Sequence, residues 1–210
     1  MSALQQMLLG SGQTKSLSYE TNEDVDPPSS PHTFSSVDIG TANGGRKVIV
    51  AAFVNGNLDA DVSALTIGGI SASEITSANT STNQRQVSLW IASVPSGDTA
   101  DVVVTFNDST TSLLAIGVWS ALGIYSNTPI DSGTSTADPG TDTLATIEGG
   151  FCIAAGIALG STSTVWSNVT ERFDNNAGFT GADASTTGAN ISPSANYDSP
   201  SNQATVFATF

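Results

Sequence analysis

Short runs of apolar residues alternate with polar turn segments along most of the chain. Val87, Leu89 and Ile91 are separated by single residues, the spacing of a β-strand with one buried face. Similar runs are bounded by Gly, Asn, Pro and Asp residues, which favour turns. They predict strands at 34–39, 46–54, 65–67, 70–76, 87–92, 102–106, 113–119, 144–147, 151–159, 165–166, 169–173, 182–185 and 204–210.

This succession of strands predicts an all-β fold, an antiparallel β-sandwich of jelly-roll-like form. Residues 113–119 contain little polar material, so we expect a central strand covered on both faces. Residues 144–147 and 151–159 flank Glu148-Gly-Gly150, which predicts a hairpin. No repeat period recurs in the sequence, which disfavours a propeller or a solenoid.

The N-terminus has the pattern of a short helix. Ser2 and Gln5 have the spacing of a capping box, and Gly10 stands where such a helix ends. Leu4, Met7 and Leu8 then share one face. So short a helix is marginal in isolation, so it either docks on a surface or frays. We interpret these three apolar residues as an anchoring face that docks on another protein surface.

Residues 10–33 are polar and contain three prolines, which is typical of an extended arm. A short strand at 17–20 is compatible with its pattern. We therefore divide the chain into an N-terminal helix and arm, residues 1–33, and a β-sandwich domain, residues 34–210.

The charge balance argues against nucleic-acid and membrane partners. Nineteen acidic and five basic residues give a net charge of −14. Binding to phosphates or anionic lipids needs a basic track, and only Arg46 and Lys47 are adjacent. The first twelve residues lack the basic region of a signal peptide, and no apolar run has the length of a membrane span. We expect synthesis in the cytoplasm of the cell that makes the chain.

The sequence offers no catalytic constellation. His32 is the single histidine and lies in a proline-rich loop, where a general base would not be held rigidly. Cys152 is the single cysteine and lies in an apolar run that predicts a buried thiol. We predict no enzyme, no cofactor and no metal site. Asp59-Ala-Asp61 and Asp138-Pro-Gly-Thr-Asp142 have the ligand type for calcium, although solvated turn carboxylates are the favoured interpretation.

Aromatic residues are the remaining candidates for a binding site. Trp90 and Trp119 lie within strong strand patterns and are predicted to pack in the core. Trp166 and Tyr125 lie at strand or loop margins, so they are candidate contacts for a glycan.

Two parts of the sequence resemble proteins of bacteriophage particles. The start, MSALQQMLLGSG, resembles the N-termini of virion proteins from marine and environmental tailed phages. The segments GGRKVIVAAF, LTIGG, VSLWIASVPSGDTADVVVTF and LLAIGVWSALG resemble a β-sandwich module of phage structural proteins. These motifs are packing and turn patterns, so the resemblance implies a fold and a setting and carries over no catalytic residue.

The resemblance implies a non-enzymatic protein on the virion surface. Its first form is a head decoration or cement protein, docked on other virion proteins through its N-terminal arm and, by analogy, trimeric. The alternative is a short tail or head fibre, an adhesin that binds host surface glycan. A polysaccharide hydrolase would need two carboxylates across a cleft, and the sequence pairs none.

Overall fold

The computed structural model describes residues 15–26, 28–56, 61–82, 84–107, 111–158, 160–161, 163–175, 178–198 and 202–210. These residues form strands, turns and loops, and none of them belongs to a helix. Consequently the described part of the chain holds no helix that could cross a membrane. The helix predicted at the N-terminus, with Leu4, Met7 and Leu8, lies outside the described residues.

The described residues form seventeen strands, numbered here in chain order. They are β1 Ser16–Val25, β2 His32–Asp38, β3 Lys47–Asn55, β4 Val62–Ile67, β5 Ile70–Ser71, β6 Ser73–Asn79, β7 Arg85–Ser93, β8 Thr99–Phe106, β9 Leu113–Leu122, β10 Asp131–Ser135, β11 Gly140–Thr141, β12 Glu148–Ala158, β13 Thr164–Ser167, β14 Thr170–Asn175, β15 Phe179–Thr187, β16 Ser194–Tyr197 and β17 Gln203–Thr209.

The first nine strands form an N-terminal sandwich. Its inner sheet has the order β1-β9-β3-β7-β6 and its outer sheet the order β2-β8-β4-β5. Neighbouring strands are antiparallel, for example β3 with both β7 and β9. Strands β1 to β4 and β7 to β9 alternate between the two sheets along the chain, while β5 and β6 are additional strands at the edges of the outer and inner sheets. The predicted all-β, antiparallel sandwich is confirmed.

The last eight strands repeat this topology in a C-terminal sandwich. Its inner sheet has the order β10-β17-β12-β15-β14 and its outer sheet the order β11-β16-β13. Strands at the same position in the two inner sheets correspond, so that β1 matches β10 and β9 matches β17. The outer sheets correspond in the same way, and among the described strands β5 alone lacks a counterpart. Even an irregularity recurs, because the register shifts in β6 between Glu74 and Thr76 and in β14 between Glu171 and Phe173. Residues 34–210, predicted as one sandwich, therefore contain strands of two.

The two inner sheets pack face to face, so the molecule has four layers of sheet. The central core between the inner sheets includes Ile49 and Phe53 from the first sandwich and Ile153 and Val206 from the second. Separate apolar clusters fill the space inside each sandwich. Inner strands are consequently apolar on both sides. In β9, Ile116 and Val118 face the outer sheet while Trp119 faces the central core, as predicted for 113–119.

The segment predicted as an arm contributes a strand to the body. β1 pairs with β9 along the edge of the inner sheet, and Leu17 and Tyr19 pack against the central core. The strand suggested at 17–20 is therefore longer, Ser16–Val25, and the predicted boundary after residue 33 falls inside β2. The full length of β1 could not be predicted from apolar spacing, because many of its residues are polar. An edge strand tolerates polar residues, since it is held largely by main-chain hydrogen bonds and has one side in solvent.

The hairpin predicted around Glu148-Gly-Gly150 is wrong. Leu144 forms a single bridge with Ile191, and residues 145–147 belong to no strand. The apolar side chains in this region are explained by packing, since Leu144 is buried with Cys152 and Phe207 inside the C-terminal sandwich. Apolar spacing alone does not distinguish such a packed loop from a strand.

Candidate functional site

His32 and Cys152, the residues with potential catalytic chemistry, make packing contacts in the described structure. The His32 ring lies edge-on to Phe34 at a centroid distance of 4.8 Å. Cys152 is buried in β12, where burial and the nearby charge of Asp183 raise the pKa of its thiol to about 12. A thiol with so high a pKa carries almost no thiolate at neutral pH and is a poor nucleophile.

Trp90 and Trp119 are core residues, as the sequence predicted. Both side chains are buried. The Trp90 indole donates to the Ser88 hydroxyl at 2.9 Å, and the Trp119 indole donates to Asp183 Oδ2 at 2.9 Å. Their indole N–H groups are therefore satisfied inside the protein.

The two candidate glycan contacts lie in different places. Trp166 is on β13, where its indole donates to the Thr180 hydroxyl at 2.7 Å and its ring packs against the buried cluster around Tyr197. Tyr125 lies in the segment that connects the sandwiches and is 74% exposed. Trp166 thus has a packing role, and Tyr125 has the exposed aromatic surface.

Tyr125 lines a groove where the two sandwiches join, here called the junction groove. Its volume is about 180 Å³. Four parts of the chain contribute to it: the residue before β1, the connection 123–130, the residue before β12 and the C-terminus. The lining residues are Lys15, Gly123, Ile124, Tyr125, Ser126, Thr128, Ile130, Ile147 and Phe210.

The rim of the groove is apolar and exposed. Ile130 is 43% exposed and Ile147 is 40% exposed, in addition to Tyr125. Of the large apolar side chains exposed in the described structure, these three line the groove, whereas Ile70 and Val165 lie on strands of the outer sheets. A cluster of this kind differs from single exposed apolar residues, which are common on protein surfaces.

The floor of the groove is firmly held. Phe210 and Ile124 are buried there, and the Phe210 ring lies 5.5 Å from that of Phe151. The Phe210 amide donates to the Phe151 carbonyl at 2.9 Å, and the Phe151 amide donates back at 3.0 Å. The Ile130 amide donates to the Thr209 carbonyl at 2.8 Å, which fixes one side of the rim. The groove is thus built on paired strands of the inner sheet.

The groove differs in charge from the chain as a whole. Lys15 supplies the one charged side chain among its lining residues, in a protein of net charge −14. Lys15 immediately precedes β1 in the chain. The predicted anchoring residues Leu4, Met7 and Leu8 precede Lys15 in the sequence and lie outside the described residues.

Among the residues that line the groove, Tyr125 was predicted from the sequence as a binding residue, and the others were not. Ile130, Ile147 and Phe210 come from separate segments, and only the packing of one sandwich on the other brings them together. A partial signal was present, because Ile130 and Ile147 are isolated apolar residues in polar surroundings.

Comparisons with known proteins do not identify a family. No protein-family model matches the chain, and no curated protein sequence is similar to it. Latent PorU from Porphyromonas gingivalis matches 87% of this chain at 11% identity with a TM-score of 0.32, and the match spans only 20% of that protein.

Two other solved structures are similarly distant. An anti-sigma factor domain-containing protein covers 90% of this chain at 6% identity, with 81% of its own length matched and a TM-score of 0.27. The PBSX exported protein XepA covers 96% at 11% identity, with 88% of its own length matched and a TM-score of 0.23. Similarities this weak carry no functional argument.

Proposed function

We propose that this chain is a non-enzymatic structural protein of a bacteriophage particle, of the head decoration or cement type, which attaches through the junction groove. The observation that carries the proposal is the gathering of Tyr125, Ile130 and Ile147 around one groove. Exposed apolar clusters with a polar surround are typical of protein interfaces. The phage setting comes from the sequence resemblance described above.

The proposed partner is another virion protein, of the capsid or the tail. A surface with an apolar centre and an acidic residue at its edge would complement the apolar rim and the Lys15 ammonium. The predicted anchoring residues Leu4, Met7 and Leu8 precede Lys15 in the sequence, and in this proposal they contact the same partner as the groove. The protein has 19 acidic and 5 basic residues, and this net negative charge would discourage nonspecific association. A trimer, by analogy with other decoration proteins, is part of the proposal.

The alternative is a short tail or head fibre that binds host surface glycan. Tyr125 favours it, since an exposed aromatic ring is suited to stacking on a sugar. The packing of Trp166 reduces the surface available for that role.

The test is binding of the purified protein to phage particles that lack it, measured by co-sedimentation. Replacing Tyr125 and Ile147 together by Ser removes apolar area from the rim, and we expect affinity to fall by about tenfold or more. The matched control replaces Ile70 and Val165 by Ser, because both are exposed apolar residues outside the groove. The control should bind like the unmodified protein.

Equal binding by the groove variant and the control would contradict attachment through the groove. Retained particle binding together with loss of host-cell binding in the groove variant would favour the adhesin. Circular dichroism of both variants establishes that the fold is intact, which we expect because the replaced side chains are exposed.

A further inference from the structure

One end of the C-terminal sandwich contains a buried carboxylate oxygen without a partner. Asp174 is near the end of β14, and its Oδ2 accepts a hydrogen bond of 2.6 Å from the Thr164 main-chain N–H. In the described structure its Oδ1 has no hydrogen-bond partner, and less than 1 Å² of that atom is exposed. Leaving a buried carboxylate oxygen unsatisfied is costly, so such an atom usually has a partner, which can be a protein group, a water molecule or an ion.

Thr164 presents a second unpartnered oxygen at the same place. The residue is only 4% exposed, and its Oγ1 has no hydrogen-bond partner among the described residues. Side chains alternate along β13, where Val165 is 61% exposed and Trp166 packs inward. Thr164 therefore points inward too, between the inner and outer sheets. Its main-chain bond to Asp174 places the two residues against each other.

A second acidic group, Asp198, stands beside this pair. Burial raises the pKa of Asp174 and the charge of Asp198 raises it further, while the bond from Thr164 opposes the rise. The Ser161 hydroxyl donates to Asp198 Oδ1 at 2.6 Å, and the Asp198 amide donates to the Ser163 carbonyl at 3.1 Å. Asp198 is thereby held next to Thr164, since its neighbour Tyr197 is the register partner of Thr164.

Among the described residues, no Lys or Arg side chain forms an ion pair with Asp174. The ion pair found in the described structure joins Arg172 to Asp183, at 2.7 Å. The Arg46 guanidinium is bonded to main-chain carbonyls of Gly40, Val94, Ser96 and Gly97 in the N-terminal sandwich. The charge of Asp174 is therefore not neutralised by an ion pair within the described residues, and a small external cation would balance it.

We propose that this end of the C-terminal sandwich binds a calcium ion, with Asp174 Oδ1 and Thr164 Oγ1 as ligands and the Asp198 carboxylate at the mouth. The donors are all oxygen, which suits a hard cation and excludes the ligand preferences of zinc or copper. Three or more acidic, His or Cys side chains do not gather into a metal-binding group among the described residues. Neutral oxygens would complete the coordination, as calcium with its flexible geometry permits.

The cation would tie together strands of both sheets. Asp174 lies near the end of β14 in the inner sheet, whereas Thr164 begins β13 and Asp198 follows β16 in the outer sheet. A bound ion would therefore stabilise the sandwich at the end where its loops meet. This inference is independent of the groove and of the phage setting.

The experiment is calorimetric titration of the full chain, stripped with EDTA, with calcium chloride at pH 7.5. We expect one ion per chain and a higher unfolding midpoint in calcium than in EDTA. Asp174→Asn should weaken calcium binding by more than about tenfold, since even changes outside the ligand shell cost that much. Asp24→Asn is the matched control, because it makes the same charge change at an exposed position of β1.

Unfolding measured in EDTA distinguishes a role of Asp174 in binding calcium from a role in folding alone. The amide oxygen of Asn still accepts the Thr164 bond, and an unpaired charge is removed, so Asp174→Asn should unfold in EDTA at the unmodified protein's midpoint or above it. If Asp174→Asn fails to fold, Asp198→Asn must show the same loss of affinity. Absence of calcium binding, or equal affinity in these variants and the control, would overturn the proposal.

Discussion

At the scale of single residues, the carboxylate of Asp183 forms a hydrogen bond between the two sandwiches in the central core. Asp183 on β15 accepts the Trp119 indole N–H from the opposite inner sheet at 2.9 Å. It also accepts two bonds from the Arg172 guanidinium, at 2.8 and 2.7 Å. In the repeated topology its position corresponds to Ile91 of β7, since Asp183 pairs with Ile153 as Ile91 pairs with Ile49. A polar contact thus replaces an apolar one.

Replacing Asp183 by Ala should destabilise the protein by about 1–3 kcal/mol. The main cause is the buried Trp119 N–H, which would lose its acceptor; the partly exposed Arg172 can turn to solvent. Urea unfolding of Asp183→Ala, compared with Arg172→Gln, measures the difference. The Arg172 variant should be the more stable of the two, because it leaves the Trp119–Asp183 bond in place. The reverse order would show that the ion pair outweighs the indole contact.

At the scale of elements, the sequence pattern predicted the strands that bury apolar side chains. β3, β7, β8, β9 and β17 were found because alternating or continuous apolar residues fill the cores on their faces. β10 and β16 were missed, and β10 contains only Asp, Ser, Gly and Thr. β10 pairs with β17 at the edge of its sheet. Main-chain hydrogen bonds at a sheet edge leave little trace in the spacing of apolar residues.

The contribution of the edge strand β1 to the stability of the protein can be tested at Tyr19. The Tyr19 ring lies 5.6 Å from Trp119 and 5.8 Å from Phe173, and burial raises the Tyr19 pKa to about 12. Tyr19→Ala should cost about 2 kcal/mol, less than a fully buried aromatic residue. Tyr125→Ala is the matched control and should change the free energy of unfolding by less than about 0.5 kcal/mol. Equal, small effects in urea unfolding would mean that β1 is not an integral part of the sheet.

At the scale of the whole molecule, two copies of one topology share the central core. The sequence does not display this duplication, because the two halves fill equivalent faces with different side chains. Ala51 faces Gly117 in the first inner sheet, whereas Ala155 faces Val206 in the second. The junction groove was equally hidden, since it exists only once the two sandwiches have packed together.

The shared core predicts that the sandwiches unfold together. Each inner sheet would expose an apolar face if the other unfolded, so neither half is expected to be stable alone. Differential scanning calorimetry should give one transition, and Phe53→Ala and Phe179→Ala should each lower its midpoint. Two separate transitions, each moved by only one of these substitutions, would contradict a common folding unit.

The claim that this chain is attached to the surface of a phage particle is tested most directly by immunogold electron microscopy of purified particles. The antibody would be raised against residues 34–210, the region that contains both sandwiches apart from β1 and the start of β2. If the chain is a head decoration protein, the gold should lie over the head. Gold confined to the tail would contradict the decoration role and support the adhesin, and particles without gold would contradict a virion role.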